Sequence, residues 1–143
     1  MVSPMPMPAF SVLRIDHVVL RVKDMERAVA FYVDVLGCNV EKRRDDLGLV
    51  HLRAGASLID LVTPDGPLGR QGGALPGAEG RNVDHLCLRI EPFDEADIRA
   101  LMARHGVALH GDVQNNFGAE GYGPSIYLSD PDGNTVELKG PAA

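Results

Sequence analysis

The chain predicts an α+β fold: two tandem βαβββ modules, their strands forming a curled mixed sheet around a cup, with the helices outside. Three observations predict it. The phrase Asp16-His17-Val18-Val19-Leu20-Arg21 returns 68 residues later as Asp84-His85-Leu86-Cys87-Leu88-Arg89. Each copy alternates as a strand does, so Val18, Leu20 and Val22 share one face and His17, Val19 and Arg21 the other. A glycine-rich stretch separates the copies, and similar elements follow each of them.

The elements follow in order. Residues 1–12 are Met/Pro-rich and read as a disordered arm. The first module covers 13–63. After its histidine strand, Asp24 can cap a helix with Met25, Ala28, Val29, Tyr32, Val35 and Leu36 on one stripe, and Gly37 ends it. Strands are expected near 38–44, 48–54 and 57–63, broken by Asp45-Asp46 and Ala54-Gly55. Residues 64–82 hold six glycines and three prolines and form the connector. The second module covers 83–140. Asp94 caps its helix, with Phe93 placed to pack on Ile98 as a hydrophobic staple, and Gly106 ends it. Strands are expected near 107–113, 124–129 and 134–139. Between the first two, 114–123 carries Asn115, Asn116 and three glycines and reads as a loop or a mobile lid.

Composition narrows the function. With 143 residues, 45% hydrophobic and 24% charged, the chain fits one ordinary globular domain. A net charge of −6 provides no global basic field for nucleic acid or an acidic membrane surface. No apolar run reaches transmembrane length, and no hydrophobic signal core opens the chain. Two cysteines, Cys38 and Cys87, make neither a zinc pair nor a disulfide framework, so the expected setting is cytoplasmic.

The repeat also points to chemistry. A single histidine in a half-buried strand is ordinary packing. Duplicated at one equivalent point of two modules, His17 and His85 can meet across a pseudo-twofold axis as metal ligands. Asp60 and Glu137 each interrupt an aliphatic strand centre, where an unpaired carboxylate is costly. A metal would compensate them, and so would an arginine or an edge position facing water.

The paired histidine strands, Phe31-Tyr32 with Leu36-Gly37, and Ser125-Ile126-Tyr127-Leu128-Ser129-Asp130-Pro131-Asp132-Gly133-Asn134 ahead of Glu137 resemble the vicinal oxygen chelate superfamily. That group includes glyoxalase I, fosfomycin- and bleomycin-resistance proteins, methylmalonyl-CoA epimerase and extradiol dioxygenases. The resemblance covers roughly residues 13–140. It implies a metal-binding cup with His17 and His85 as first-strand ligands, Glu137 as the last-strand ligand of the second module and Asp60 as its counterpart in the first. The ligand types suit one divalent ion: Zn, Ni, Co, Mn or Fe(II). The chemistry implied is Lewis-acid catalysis on a small molecule bound through adjacent oxygens.

The expected function is a metal-dependent lyase or isomerase of glyoxalase type, in which Asp60 and Glu137 take part in proton transfer. Asp60 stands where glyoxalase I enzymes carry a glutamate. If it stands back from the metal, the remaining His17, His85 and Glu137 resemble the triad of an extradiol ring-cleaving dioxygenase using ferrous iron. Tyr127, ten residues before Glu137, resembles the catalytic tyrosine of those dioxygenases and is expected, with Ser125, to position substrate. A third reading is a non-catalytic drug or small-molecule binder of the bleomycin-resistance type. Arg21 and Arg89, on the histidine faces, are candidates to grip an anionic substrate or to satisfy the two carboxylates. His51 and Arg53 alternate on a middle strand and face either the cup or solvent. Relatives of this size commonly form homodimers, so a homodimer is expected.

Overall fold

The structure is a computed structural model that describes residues 8–143. Of the arm expected over 1–12, residues 1–7 lie outside the described residues, and 8–16 run exposed without helix or strand. The first module begins with β1 (His17–Arg21), followed by α1 (Met25–Ala30), which continues as a wider π-helical turn over Phe31–Val35. Then come β2 (Asn39–Arg44), β3 (Leu49–Ala54) and β4 (Ser57–Val62). A short α2 (Pro67–Arg70) interrupts the connector. The second module comprises β5 (Leu86–Arg89), α3 (Glu95–Arg104), β6 (Gln114–Gly118), β7 (Gly121–Ser129) and β8 (Thr135–Lys139).

Each module makes a four-stranded mixed sheet with the same order: β1-β4-β3-β2 and β5-β8-β7-β6. In both, the first strand lies parallel to the last, and the remaining pairs are antiparallel. The parallel pair demands a crossover, and the helix provides it. Both caps form as expected. Asp24 accepts from the Arg27 amide at 3.0 Å and Asp94 from the Asp97 amide at 2.9 Å. Gly37 and Gly106 end the helices at φ 78° and 68°, where a side chain would be strained.

The aliphatic faces of both sheets enter one core. Leu20, Leu52 and Ile59 join Ala28 and Tyr32 from the first helix, and Ile126, Leu128, Val136 and Met102 from the second module. The opposite faces carry His17 and His85, each about half exposed. Among the described residues, no helix is long and apolar enough to cross a membrane.

The second module departs from expectation in one place. Residues 107–113 form no strand. Val107, Leu109 and Val113 pack against the core, but the backbone pairs only at the Leu109–Leu128 bridge. The edge strand is instead β6, within the stretch read as a loop or lid, and it forms a hairpin with β7 through Ala119-Glu120. Its sequence Gln-Asn-Asn-Phe-Gly is polar because one side faces the cup and the other faces solvent. Such an edge lacks the apolar alternation by which buried strands are recognised.

The turn between β7 and β8 ties the modules together. Asp130, buried, accepts the amides of Asp132 and Asn134 at 2.9 and 2.8 Å and the Asn134 side-chain amide at 2.8 Å. The hydroxyl of fully buried Tyr32 donates to the same carboxylate at 2.7 Å. Desolvation, then the Asp130 charge, pushes the Tyr32 phenol far above its ordinary range, which keeps it a donor. Tyr32→Phe would leave a buried carboxylate short of one donor, so stability should fall by about 1–3 kcal/mol. Urea denaturation of the two proteins checks this, with an unchanged slope expected.

Candidate functional site

The register of each sheet sets the polar faces. In the first, Val19 and His51 both lie opposite Asp60. In the second, Cys87 and Tyr127 both lie opposite Glu137. Asp60 and Glu137 are thus equivalent positions, central in their sheets and nearly inaccessible at 4% and 5% exposure. Each needs polar neighbours from the strands on either side.

The first half-site gathers His17, Asp60 and His51. The preceding aspartate holds the His17 ring: Nδ1 lies 2.9 Å from Asp16 Oδ1, and Nε2 is turned towards Asp60 Oδ2 at 3.9 Å. The hydrogen bond to Asp16 outweighs desolvation and, with the Asp60 charge, raises the His17 ring above its ordinary value. His51 Nδ1 approaches Asp60 Oδ1 at 2.8 Å. Counting across the Ala54–Ser57 hairpin resolves the earlier ambiguity, since a two-residue turn places residue 51 opposite residue 60.

The second half-site repeats the design. His85 Nδ1 lies 2.7 Å from Asp84 Oδ1, and Nε2 lies 3.2 Å from Glu137 Oε1. The other Glu137 oxygen accepts from Ser125 Oγ at 2.6 Å and from Asn116 Nδ2 at 3.4 Å. Asn116 also donates to the Tyr127 hydroxyl at 3.0 Å, and the Tyr127 ring stands edge-on to His85 with centroids 6.0 Å apart. Desolvation alone would raise the Glu137 carboxyl. Hydrogen bonds from Ser125, Tyr127 and Asn116, with the His85 ring, outweigh it and hold the group below its ordinary value. Desolvation, then the Glu137 charge, pushes the Cys87 thiol up to about 11, so it is neutral near pH 7 and unsuited to act as a nucleophile. The sequence places Asn116 only in a stretch expected to be a loop or lid, whereas it lies on β6. Its role depends on β6, whose strand character the sequence concealed.

Both halves suit a divalent cation in donor chemistry. Each histidine is oriented by a carboxylate on Nδ1 and presents Nε2 towards a buried carboxylate, the usual outer arrangement around a ligating imidazole. His17 lies with Asp60, and His85 with Glu137, but the two pairs are not joined. Among the described residues, no group of three or more His, Cys, Asp or Glu side chains could hold a metal ion.

The arginines are largely engaged. Arg21 donates to the Gly73 carbonyl at 3.2 Å, and its side chain lines a cavity of about 590 Å³ that also contains Asp60. Arg89 pairs with Glu120 and Glu91, and Arg53 with Glu41. Arg70 caps the Asp65 carbonyl, and Arg81 reaches Thr135.

A depressed carboxyl contributes stability above its ordinary pKa and loses it as pH falls through its folded value. Ser125→Ala removes the closest donor, so the Glu137 midpoint should rise and acid unfolding should begin at a higher pH. Carboxyl-carbon NMR titration of the variant measures the midpoint directly.

Comparisons with known proteins agree with this architecture. The sequence profile of the Glyoxalase/Bleomycin resistance protein/Dioxygenase superfamily matches residues 14–138. Catechol-2,3-dioxygenase of Bacillus subtilis (strain 168) is 29% identical over 126 residues, which cover 87% of this chain but 40% of that protein. The chain therefore spans well under half of that relative. Mitochondrial methylmalonyl-CoA epimerase of Bos taurus is 27% identical over 145 residues, covering 92% of this chain and 77% of the epimerase. The crystal structure of virulence protein STM3117 from Salmonella typhimurium superimposes with a TM-score of 0.77 at 27% identity, covering 93% of this chain and all of that one. The shared βαβββ repeat and the sequence match together place this chain in the Glyoxalase/Bleomycin resistance protein/Dioxygenase superfamily.

Proposed function

We propose that the protein is a metal-dependent enzyme that moves a proton on a small substrate bound through adjacent oxygens, an isomerase, epimerase or lyase of the glyoxalase kind. Members of the superfamily are mostly enzymes and usually bind a divalent metal. One observation carries the reading: the Asp60 carboxylate is buried, held on one oxygen by His51 at 2.8 Å, and has its other oxygen turned towards His17 Nε2 at 3.9 Å. A carboxylate held that way is a positioned general base.

His17, His85 and Glu137 would hold the metal, with Asp60 beside them. When bound, the ion supplies Lewis-acid stabilisation of the oxygen charge that develops as the proton leaves. The protein supplies the rest. Asp60 takes the proton at its free oxygen, and His51 stabilises the carboxylate from the other side. Tyr127 and Ser125 orient the substrate and Glu137 respectively, while Asp16 and Asp84 fix which ring nitrogen faces inwards. The dioxygenase reading keeps one specific support, the placement of Tyr127 beside His85 and opposite Glu137.

We further propose that a second copy of the chain completes the site. The separation of the His17–Asp60 and His85–Glu137 pairs supports this reading. The rival arrangement, both pairs from one chain, draws on the cavity of about 500 Å³ that His17 shares with Cys87 and Arg89. Mixing decides between them. His17→Ala and His85→Ala should each abolish stoichiometric metal uptake. A hybrid dimer of the two variants should recover about one metal per dimer if sites are shared, because one of its two sites is then intact. No recovery in verified hybrids would return both pairs to a single chain. Sedimentation should meanwhile show a homodimer at micromolar concentration, and a purely monomeric protein would reject the shared site.

The base is tested separately. Asp60→Asn at matched metal occupancy should lower solvent-deuterium exchange into 2-hydroxy and 2-oxo carbonyl compounds by roughly two to four orders of magnitude. Unchanged exchange would remove Asp60 as base, and aerobic catechol turnover by the iron-loaded protein would then favour ring cleavage.

A further inference from the structure

The cup of the second sheet contains a charge that the metal reading does not use. Lys139 ends β8, two residues after Glu137 on the same face, and is only 6% exposed. Its backbone is fixed, because its carbonyl accepts the Ile90 amide at 2.8 Å. Its side chain lies over two glycines of the covering hairpin. A Cβ on Gly118 would fall 2.6 Å from Lys139 Cε, and one on Gly123 would fall 2.9 Å from Nζ. A side chain at either position would have to push the end of Lys139 aside, and at Gly123 it would also meet the Pro141 carbonyl, so the lysine lies close over the hairpin backbone.

The carboxylates nearby are already matched. Glu137 is taken by Ser125, Asn116 and His85. Glu120, on the hairpin turn, is taken by Arg89. Among the described residues, Lys139 Nζ has neither a hydrogen bond nor an ion pair. The stem of Lys139 is buried, while Nζ is not shut off from solvent among the described residues, so a charge so placed is open to an incoming anion. The lysine lines a cavity of about 320 Å³ together with His85, Cys87, Arg89, Glu137 and the Gly118–Glu120 turn. That volume is at the small end of ligand sites.

We propose that Lys139 is a specificity-determining residue that receives a carboxylate of the substrate, so that the natural substrate is a small organic acid. The inference deepens the reading of this cup as the substrate site and rests on it. Lys139 sits on the same sheet face as Glu137, so one end of a short acid meets the ammonium while the rest reaches the His85–Glu137 pair. Arg89, held by Glu120 and Glu91, closes the rim of the cavity, and Lys139 takes the anion-binding role for which Arg89 was a candidate. The neighbourhood holds one unmatched positive charge, which suits a single carboxylate.

The test uses propionate and its neutral isostere propionamide, titrated into the full-length, metal-depleted protein while the amide NMR signals of Gly118 and Gly123 are followed. Propionate should give a saturable shift at both glycines and propionamide none. Lys139→Met should weaken propionate binding at least tenfold, the worth of one charge-assisted bond in a sheltered site, and Lys139→Gln serves if the first variant does not fold. Arg53→Ala, on the other sheet and paired with Glu41, should bind propionate as the native protein does. No saturable shift in the native protein, or undiminished binding in the Lys139 variants, overturns the proposal. Native protein that takes up no divalent metal yet binds propionate saturably would count against the proposed metal chemistry and leave the carboxylate site standing.

Discussion

The buried Asp130 carboxylate is the constraint on which the rest of the arrangement depends. It accepts two amides and a side-chain amide from its own turn and a phenol from the helix of the other module. A carboxylate so deeply placed is tolerable only when its acceptor positions are filled. Filling them shapes the β7–β8 turn, and that turn sets the register that places Tyr127 opposite Glu137. The Tyr32 bond fixes the first helix against the same turn, and Lys23 and Asn82 add backbone links to Asp132 and Arg21. One charged group thereby positions the strand pair carrying half of the site and joins the two modules.

The two polar faces carry the same plan with different chemistry. In both, an aspartate immediately before a strand histidine holds Nδ1 and leaves Nε2 for the interior. In both, the carboxylate of the last strand lies beneath that nitrogen. The partner on the middle strand differs: a histidine against Asp60 and a tyrosine against Glu137. Glu137 is surrounded by neutral donors that favour its ionised form, which suits a ligand. Asp60 is joined to a ring that can carry a proton, which suits a base. The equivalent middle-strand position thus gives two similar half-sites different chemistry.

Parts of this were legible in the chain. The 68-residue repeat, the aliphatic alternation around Leu20 and Leu88, and the caps at Asp24 and Asp94 depend on neighbours close in sequence, and all appear in the fold. His51 was legible in principle, because counting across a two-residue hairpin puts it opposite Asp60. Residues 107–118 were misread because apolar alternation signals burial, not pairing. Val107, Leu109 and Val113 are buried without forming a ladder, whereas Asn115 and Asn116 form one while remaining polar. Asn116 and the setting of Lys139 were therefore concealed together, since both follow from the β6–β7 hairpin.

By itself the sequence determined the module order and the helix limits, and it pointed to His17, Asp60, His85 and Glu137 as candidate site residues, because strand period, capping and side-chain chemistry are local properties. Tertiary structure alone decided which of those residues meet. His17 goes with Asp60 and His85 with Glu137 because each parallel first-strand/last-strand pair brings together residues tens of positions apart. It also decided that the Lys139 stem is buried while its ammonium, without an ion pair among the described residues, lines a cavity. That depends on which carboxylates Arg89, Ser125 and His85 reach first, a competition settled only when the strands and the hairpin are packed in three dimensions.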